Sequence, residues 1–513
     1  MPTAARWVLF VAIVGSSMAF IDSSAVNVAL PSIQHDLRTD AVGLQWVIEG
    51  YALFLAALIL VGGSLGDVYG RRRIFVTGIA IFAVASVACA AAQTIVALAA
   101  ARCVQGIGGA LATPGSLALI SANFSDRDRG RAIGTWSGFG AITAAIGPLL
   151  GGWLAQNASW RDVFLINVPL ALFVVVAALM RVPESREIGV VRSIDGVGAA
   201  LATAGLGGLT FGLIRLQADA VDAIGLLSAA ASLVLLAAFF GWEKHASAPM
   251  IPLDIFRNVT FGGANLYTFC LYAALGGSMF FVPFDLQNVH GYTPTAAGAA
   301  ILPFILIMFA LSRWSGGLVA QIGARTPLVA GAIIAGFGFL CYALPGPGGS
   351  YWSTFFPAAL ILGIGGALFV APLTTVVMES IDTSQAGLAS GINNAVSRVA
   401  GLLAIAALGI VLLTSLYADF DRRIQALPLS DVSRRMLARE RPALGTGRPL
   451  TSLREPDRRG VDDALAAAYT LGFRRIMVIC AVASWSAALI AFRTISFGRV
   501  LGRVAKPPGL PPA

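Results

Sequence analysis

Three ionisable side chains stand inside long apolar runs of this chain, where charge is costly and therefore points to function. Asp22 falls within an apolar run over about 7–30, Glu49 within 45–66 and Arg102 within 97–121. A carboxyl in oily surroundings can carry a proton as the neutral acid and release it when a partner arrives. Asp22 can thereby couple proton entry to another event. Its plainer role is a structural hydrogen bond to a neighbouring helix. Arg102 cannot shed its charge, so it needs a carboxylate or backbone carbonyls, with Asp22 one conceivable partner. Glu49 fits a second proton site, a contact for a cationic substrate, or a carboxylate that reaches the outer surface.

Two glycine-rich stretches could act mechanically. In Gly63-Ser-Leu-Gly-Asp67-Val-Tyr-Gly70-Arg71-Arg72-Arg73, a tight turn carries an acid and three guanidiniums between two apolar runs. Asp67 could accept hydrogen bonds from a helix N-terminus or a distant arginine and latch one conformation. Turn chemistry and membrane topology are the plainer account, and they suffice for Arg72 and Arg73. In Gly147-Pro148-Leu-Leu-Gly151-Gly152, small residues and a missing backbone donor let a helix kink and approach a neighbour closely. Asp285, Gln105 and Tyr51 are candidate substrate contacts. Asp285, and Arg313 with it, could equally reach headgroups. Trp46, Phe54, Phe269, Tyr272, Met279 and Phe280 could line an apolar cavity, although such residues more often face lipid or core.

The elements that must hold these residues are membrane helices. The chain has 513 residues, 57% hydrophobic and 12% charged, with mean hydropathy +0.80. Repeated apolar runs of about 20 residues predict an all-α polytopic membrane protein. The alternating short strands of a β-barrel are absent from the sequence. We expect about fourteen spans, at 7–30, 45–66, 74–94, 97–121, 132–155, 162–181, 196–214, 222–241, 259–284, 295–319, 327–345, 352–377, 386–415 and 471–495. The first is read as an uncleaved span. Arginines concentrate in alternate short loops (71–73, 127–131, 181–192), which predicts cytoplasmic N and C termini in the cytoplasmic (inner) membrane. The segment at about 416–470 is rich in both Arg and Asp yet falls on the outer side. Its middle, Pro442 to Pro456, is turn-rich and its flanks could form short helices; the whole reads as a charged hairpin, a mobile cap or a solvated linker.

The net charge of +9 follows from loop arginines, so topology and lipid headgroups explain it better than nucleic acid. Five cysteines in apolar runs, without a C-x-x-C pair, and three scattered histidines predict neither disulfides nor a metal site, and no cofactor is expected. No nucleophile–base constellation emerges, so an enzyme is not expected. No G-x-x-x-x-G-K-[ST] occurs, which argues against ATP drive. The spans divide as six, two and six: 1–190 an N-terminal bundle, 191–250 an additional pair, 251–513 a C-terminal bundle. A weak internal repeat supports duplication. Gly63 to Arg71 is matched by Gly316-Gly-Leu-Val-Ala320-Gln-Ile-Gly323-Ala-Arg325, with Ala320 where Asp67 stands.

The ordered motifs carry a resemblance. Ile21-Asp22-Ser-Ser-Ala-Val-Asn27-Val-Ala29-Leu-Pro31 is followed by Gln45-Trp46-Val and the 63–73 turn, in which Val68 replaces a usual arginine. Next come Arg102-Cys-Val-Gln105-Gly106-Ile-Gly108-Gly109-Ala110 and the 147–152 run, with Phe139 and Thr143 where upstream glycines are usual. Trp160-Arg161-Asp162-Val-Phe-Leu-Ile-Asn167-Val-Pro169 completes the set, Asp162 replacing an aromatic. Together these resemble the major facilitator superfamily, in particular its fourteen-helix drug:proton antiporters of the EmrB/QacA type, over nearly the whole chain. The resemblance implies two six-helix bundles with two linker helices and proton-coupled export of amphipathic, cationic or neutral, drug-like molecules. It also implies proton coupling at Asp22 and Arg102, a latch at Gly63, Asp67, Gly70 and Arg71, and an antiporter motif at Gly147, Pro148, Gly151 and Gly152. The expected partners are a small-molecule substrate, protons and membrane lipid, and the chain is expected to act as a monomer. Export of an endogenous metabolite is the nearest alternative; a non-transporting receptor or scaffold is the more distant one.

Overall fold

The computed structural model describes residues 3–124, 126–185, 195–218, 222–247, 249–346, 348, 350–381, 386–430, 433–437 and 457–495. The first half comprises α1 (Thr3–Leu37), α2 (Ala41–Tyr69), α3 (Arg71–Ala91), α4 (Ile95–Asn123), α5 (Asp126–Asn157), α6 (Asp162–Leu165) and α7 (Asn167–Arg181). Then come α8 (Gly196–Ala218) and α9 (Ala223–Glu243). The second half comprises α10 (Val259–Asn288), α11 (Pro294–Ile322), α12 (Arg325–Tyr342), α13 (Tyr351–Glu379), α14 (Ala386–Gln425) and α15 (Asp457–Thr494). The starts are set by side chains that accept orphan backbone N–H groups: Asp40 from Gly43, Thr94 from Ala97, Asp222 from Gly225 and Thr293 from Ala296. The α6–α7 break falls just before Pro169, whose missing donor costs nothing in the first turn of α7.

Among the described residues, 13 helices are long and apolar enough to cross a membrane, with α6 and α7 forming one of them. The 32-residue α5 is the fourteenth of that length. The expected loop at about 416–470 is corrected at both ends. Helix α14 runs on to Gln425 and α15 already starts at Asp457. At 40 and 38 residues, each is roughly 60 Å long against about 30 Å of hydrocarbon. Ion pairs one turn apart account for the extensions: Asp419 with Arg423 (2.5 Å) and Arg458 with Asp462 (3.6 Å). The same charges, read without their spacing, look like a solvated loop.

Helix α1 packs with α4, α5 and α7, α2 with α4, and α3 with α4 and α7. In the second half α10 packs with α14 and α15, and α12 with α13 and α15, while α11 joins α13. Helices α8 and α9 pack on each other, and α8 also touches α2 and α14. The halves meet where α5 lies against α11 and α2 against α14. Their internal repeat is visible in the backbone. Gly70 (φ 110°) ends α2 and Gly323 (φ 76°) ends α11, each donating its N–H to the carbonyl four residues back. Positive φ favours glycine at both positions.

The two ends of the molecule differ. At the end holding the α1–α2 connection, one apolar core runs through both halves, joining Ala25, Val26 and Leu30 of α1 to Phe280, Phe281 and Leu286 of α10. Gln287 donates to the Val28 carbonyl there (3.2 Å). Toward the end holding the α2–α3 turn, the first half keeps its own core of Val8, Val11, Phe75, Ile79 and Val174.

Candidate functional site

Asp22 and Arg102 meet. The Arg102 guanidinium donates to Asp22 Oδ2 at 2.5 Å, and both side chains are fully buried. Four helices converge to satisfy them. Arg102 Nε donates to the Val47 carbonyl of α2 (2.8 Å), and Nη1 also donates to Gln105 Oε1 (2.7 Å). Gln105 Nε2 and Asn167 Nδ2 donate to Asp22 Oδ1 at 2.9 and 3.1 Å. Ser86 of α3 accepts from the same Gln105 amide (2.9 Å). The spacing of Arg102 and Gln105 puts both on one face of α4, one turn apart. Three donors, from Arg102, Gln105 and Asn167, thus meet the Asp22 carboxylate, and the acid and the guanidinium offset each other's charge inside the bundle. Sequence reasoning did not single out Ser86 or give Asn167 a role. Both are small polar residues in apolar helices, and that was the available signal.

Tyr51 and Glu49 lie one helical turn or less from this network. The Tyr51 ring sits 4.3 Å from the Arg102 guanidinium, a cation–π contact. Its hydroxyl is buried and has no hydrogen-bond partner among the described residues. Tyr51→Phe is therefore expected to leave the thermal unfolding midpoint unchanged or slightly raised, since an unpaired buried hydroxyl costs about 1–3 kcal/mol and phenylalanine keeps the ring. A fall of several degrees in detergent would show that the hydroxyl has a partner. Glu49 is fully buried, and among the described residues neither of its carboxyl oxygens has a hydrogen-bond partner. It does not reach the outer surface.

The 147–152 run joins three helices. A Cβ on Gly151 would come within 2.5 Å of the Ala25 carbonyl in α1, and one on Gly152 within 2.5 Å of the Pro294 carbonyl in α11. Gly147 presses on Ser24, and Gly298 of α11 presses on Pro148. These glycines thus let α5 bridge both halves at the closed end.

At the opposite end, the 63–73 turn is gripped by the segment after α7. Arg71 N donates to the Ser185 carbonyl (2.9 Å), Arg72 N to Glu184 (3.0 Å) and Arg72 Nη1 to the Val182 carbonyl (2.9 Å). Glu184 also lies 3.8 Å from Arg73. Sequence reasoning missed Glu184, which stands in what reads as an ordinary loop. Gly63 rests on Pro114 with room to spare, whereas its neighbour Gly62 makes the tight approach to Ala110 of α4. Asp67 lies in the last turn of α2; its side chain, like that of Arg313, lies outside the described residues.

A cavity of about 360 Å³ opens between the halves, lined by Phe20 of α1, Tyr272 of α10, Thr374 and Met378 of α13, and Asn393 and Arg398 of α14 among others. Its walls lie near the end of α13 and the start of α14, on the side of the Gly70 and Gly323 turns. Of the candidate contacts, Tyr272 is on this wall. Tyr51 and Gln105 belong to the Asp22 network instead. Asp285 is buried near the end of α10, 3.3 Å from His290. Arg398 escaped sequence reasoning, although a lone arginine within an apolar helix was signal enough.

Two bundles closed at one end, cleft at the other and holding a buried ion pair have the build of a membrane carrier. The chain belongs to the major facilitator superfamily, which it matches over residues 12–405. It is 36% identical over 434 residues to the multidrug resistance protein Stp of Mycobacterium tuberculosis, covering 83% of this chain and 79% of that one. To the tetracenomycin C resistance and export protein of Streptomyces glaucescens it is 33% identical, covering 78% and 74%. Among solved structures, a bacterial homologue of the human lysosomal transporter Spinster, inward-facing and unoccupied, superposes with a TM-score of 0.64 at 18% identity, covering 96% and 97%. That likeness concerns the fold.

Proposed function

We propose that the chain is a proton-coupled exporter of amphipathic small molecules in the cytoplasmic membrane. The observation that carries the reading is the buried Asp22–Arg102 pair, with Gln105 and Asn167 closing on the same carboxylate. A proton reaching Asp22 cancels its charge, releases Arg102 and gives the first bundle a second arrangement, which is what coupling requires. The names of the relatives, a multidrug resistance protein and an antibiotic export protein, support the cargo class. The arginine-rich 71–73 turn supports an orientation with the cavity end at the cytoplasm and the α5–α11 contact outside. Both termini are then cytoplasmic, and one chain suffices as the working unit, with protons and lipid as its partners. One proton entering down 100 mV supplies about 2.3 kcal/mol, enough for roughly fifty-fold accumulation.

The test is the purified chain in proteoliposomes with an imposed pH gradient. Dye efflux should follow the gradient and cease when it is dissipated; efflux indifferent to both pH and voltage would sink the reading. Export of a self-made antibiotic is the second reading, favoured by the likeness to the tetracenomycin C resistance and export protein. A single tight ligand within a broad binding panel would select it.

A further inference from the structure

Resting on the exporter reading, we propose that Arg398 anchors the substrate and that the preferred cargo is an amphipathic acid, a flat apolar body carrying one carboxylate or phenolate. The cavity holds one fixed positive charge and, among its described lining residues, no Asp or Glu. Among the described residues Arg398 Nε has no hydrogen-bond partner. Among the described residues no carboxylate comes within ion-pair distance of the guanidinium. Its titratable neighbours are the phenols of Tyr51 and Tyr272.

The other polar groups of the wall are largely occupied. Asn393 donates to Asn265 (3.2 Å) and Thr268 (2.7 Å) of α10, and Ser397 donates to the Asn394 carbonyl (2.8 Å). Arg398 therefore stands on this wall, beside the Tyr272 hydroxyl, as its one cationic donor group. A half-buried guanidinium without a counter-ion is costly, and a carboxylate meets its planar fork with two parallel hydrogen bonds. A cation in the same place meets repulsion with nothing to offset it. Phe20 and Tyr272 offer aromatic walls for the apolar body. Exchange of one entering proton for one leaving anion moves two charges in the same electrical sense. An inside-negative potential then drives export of an acid more steeply than export of its neutral amide.

The experiment uses the full chain in lipid nanodiscs and proteoliposomes with three matched probes: anthraquinone-2-carboxylate, its primary amide and its aminomethyl analogue. The acid is expected to bind at least about tenfold more tightly than the other two. Arg398→Gln should weaken acid binding by about ten- to a hundredfold while leaving the amide within about twofold, and Arg398→Lys should restore part of the preference. Equal binding of acid and amide, no binding of the acid, or an equal loss for all three probes in a folded Arg398→Gln protein overturns the proposal. Proton-driven export of amine or amide without acid preference overturns it while keeping the exporter. Proton-independent behaviour of every transported probe removes the exporter itself.

Discussion

Asp22→Asn abolishes proton-driven export, with an expected loss of at least a hundredfold in initial rate in proteoliposomes. Asparagine keeps the shape of the side chain and an oxygen that can still accept from Gln105 and Asn167, but it cannot exchange a proton. It also leaves Arg102 buried without a counter-ion, held by the Val47 carbonyl, Gln105 and the Tyr51 ring. Breaking a buried pair on one side costs about 3–5 kcal/mol, so part of any loss could come from instability. The double variant Asp22→Asn with Arg102→Gln separates the two effects. Removing both charges recovers the thermal midpoint, because no uncompensated charge remains, yet export stays absent. A double variant that transports with unchanged response to the pH gradient would remove Asp22 from the coupling.

Gly152→Leu is expected to reduce export at least tenfold by prising α5 from α11. Even a Cβ at this position lies within 2.5 Å of the Pro294 carbonyl, and a backbone atom has nowhere to yield. Overpacking of this kind costs about 1–3 kcal/mol. Between two states of similar energy, that shifts their ratio by roughly five- to a hundredfold. The state closed at the α5–α11 contact is the one that loses. The measurement is the reactivity of a cysteine placed at Ala297, a buried residue of α11. Its labelling by a membrane-impermeant maleimide, scored above the native cysteines, should rise in the Gly152→Leu background. Unchanged labelling together with full transport would show that the α5–α11 contact is packing without consequence for the cycle.

Much of the architecture was legible in the amino-acid order. Helix length follows from bilayer thickness, so apolar runs located every span, and the caps at Asp40, Thr94, Asp222 and Thr293 begin helices where polar residues interrupt those runs. At 416–470 short helical flanks were expected, and the structure has instead the ends of two long helices, to Gln425 and from Asp457. Their charges are spaced one helical turn apart and stabilise helix in water, which an apolar-run criterion does not register.

Single residues marked the presence of charge, because an ionisable group in hydrocarbon is rare enough to stand out, and Asp22, Glu49 and Arg102 were visible for that reason. Which of them meet was decided only by tertiary structure. Asp22 and Arg102 are 80 positions apart, and their contact depends on how α1 and α4 rotate against each other. The same packing leaves Glu49 without a hydrogen-bond partner among the described residues and presents Arg398 to the cavity. It also brings Glu184 beneath the 70–73 turn. Composition and periodicity determine where each helix lies along the chain. Its rotation about its own axis is set by side-chain interlocking with four or five neighbours at once, and that information is distributed over the whole molecule.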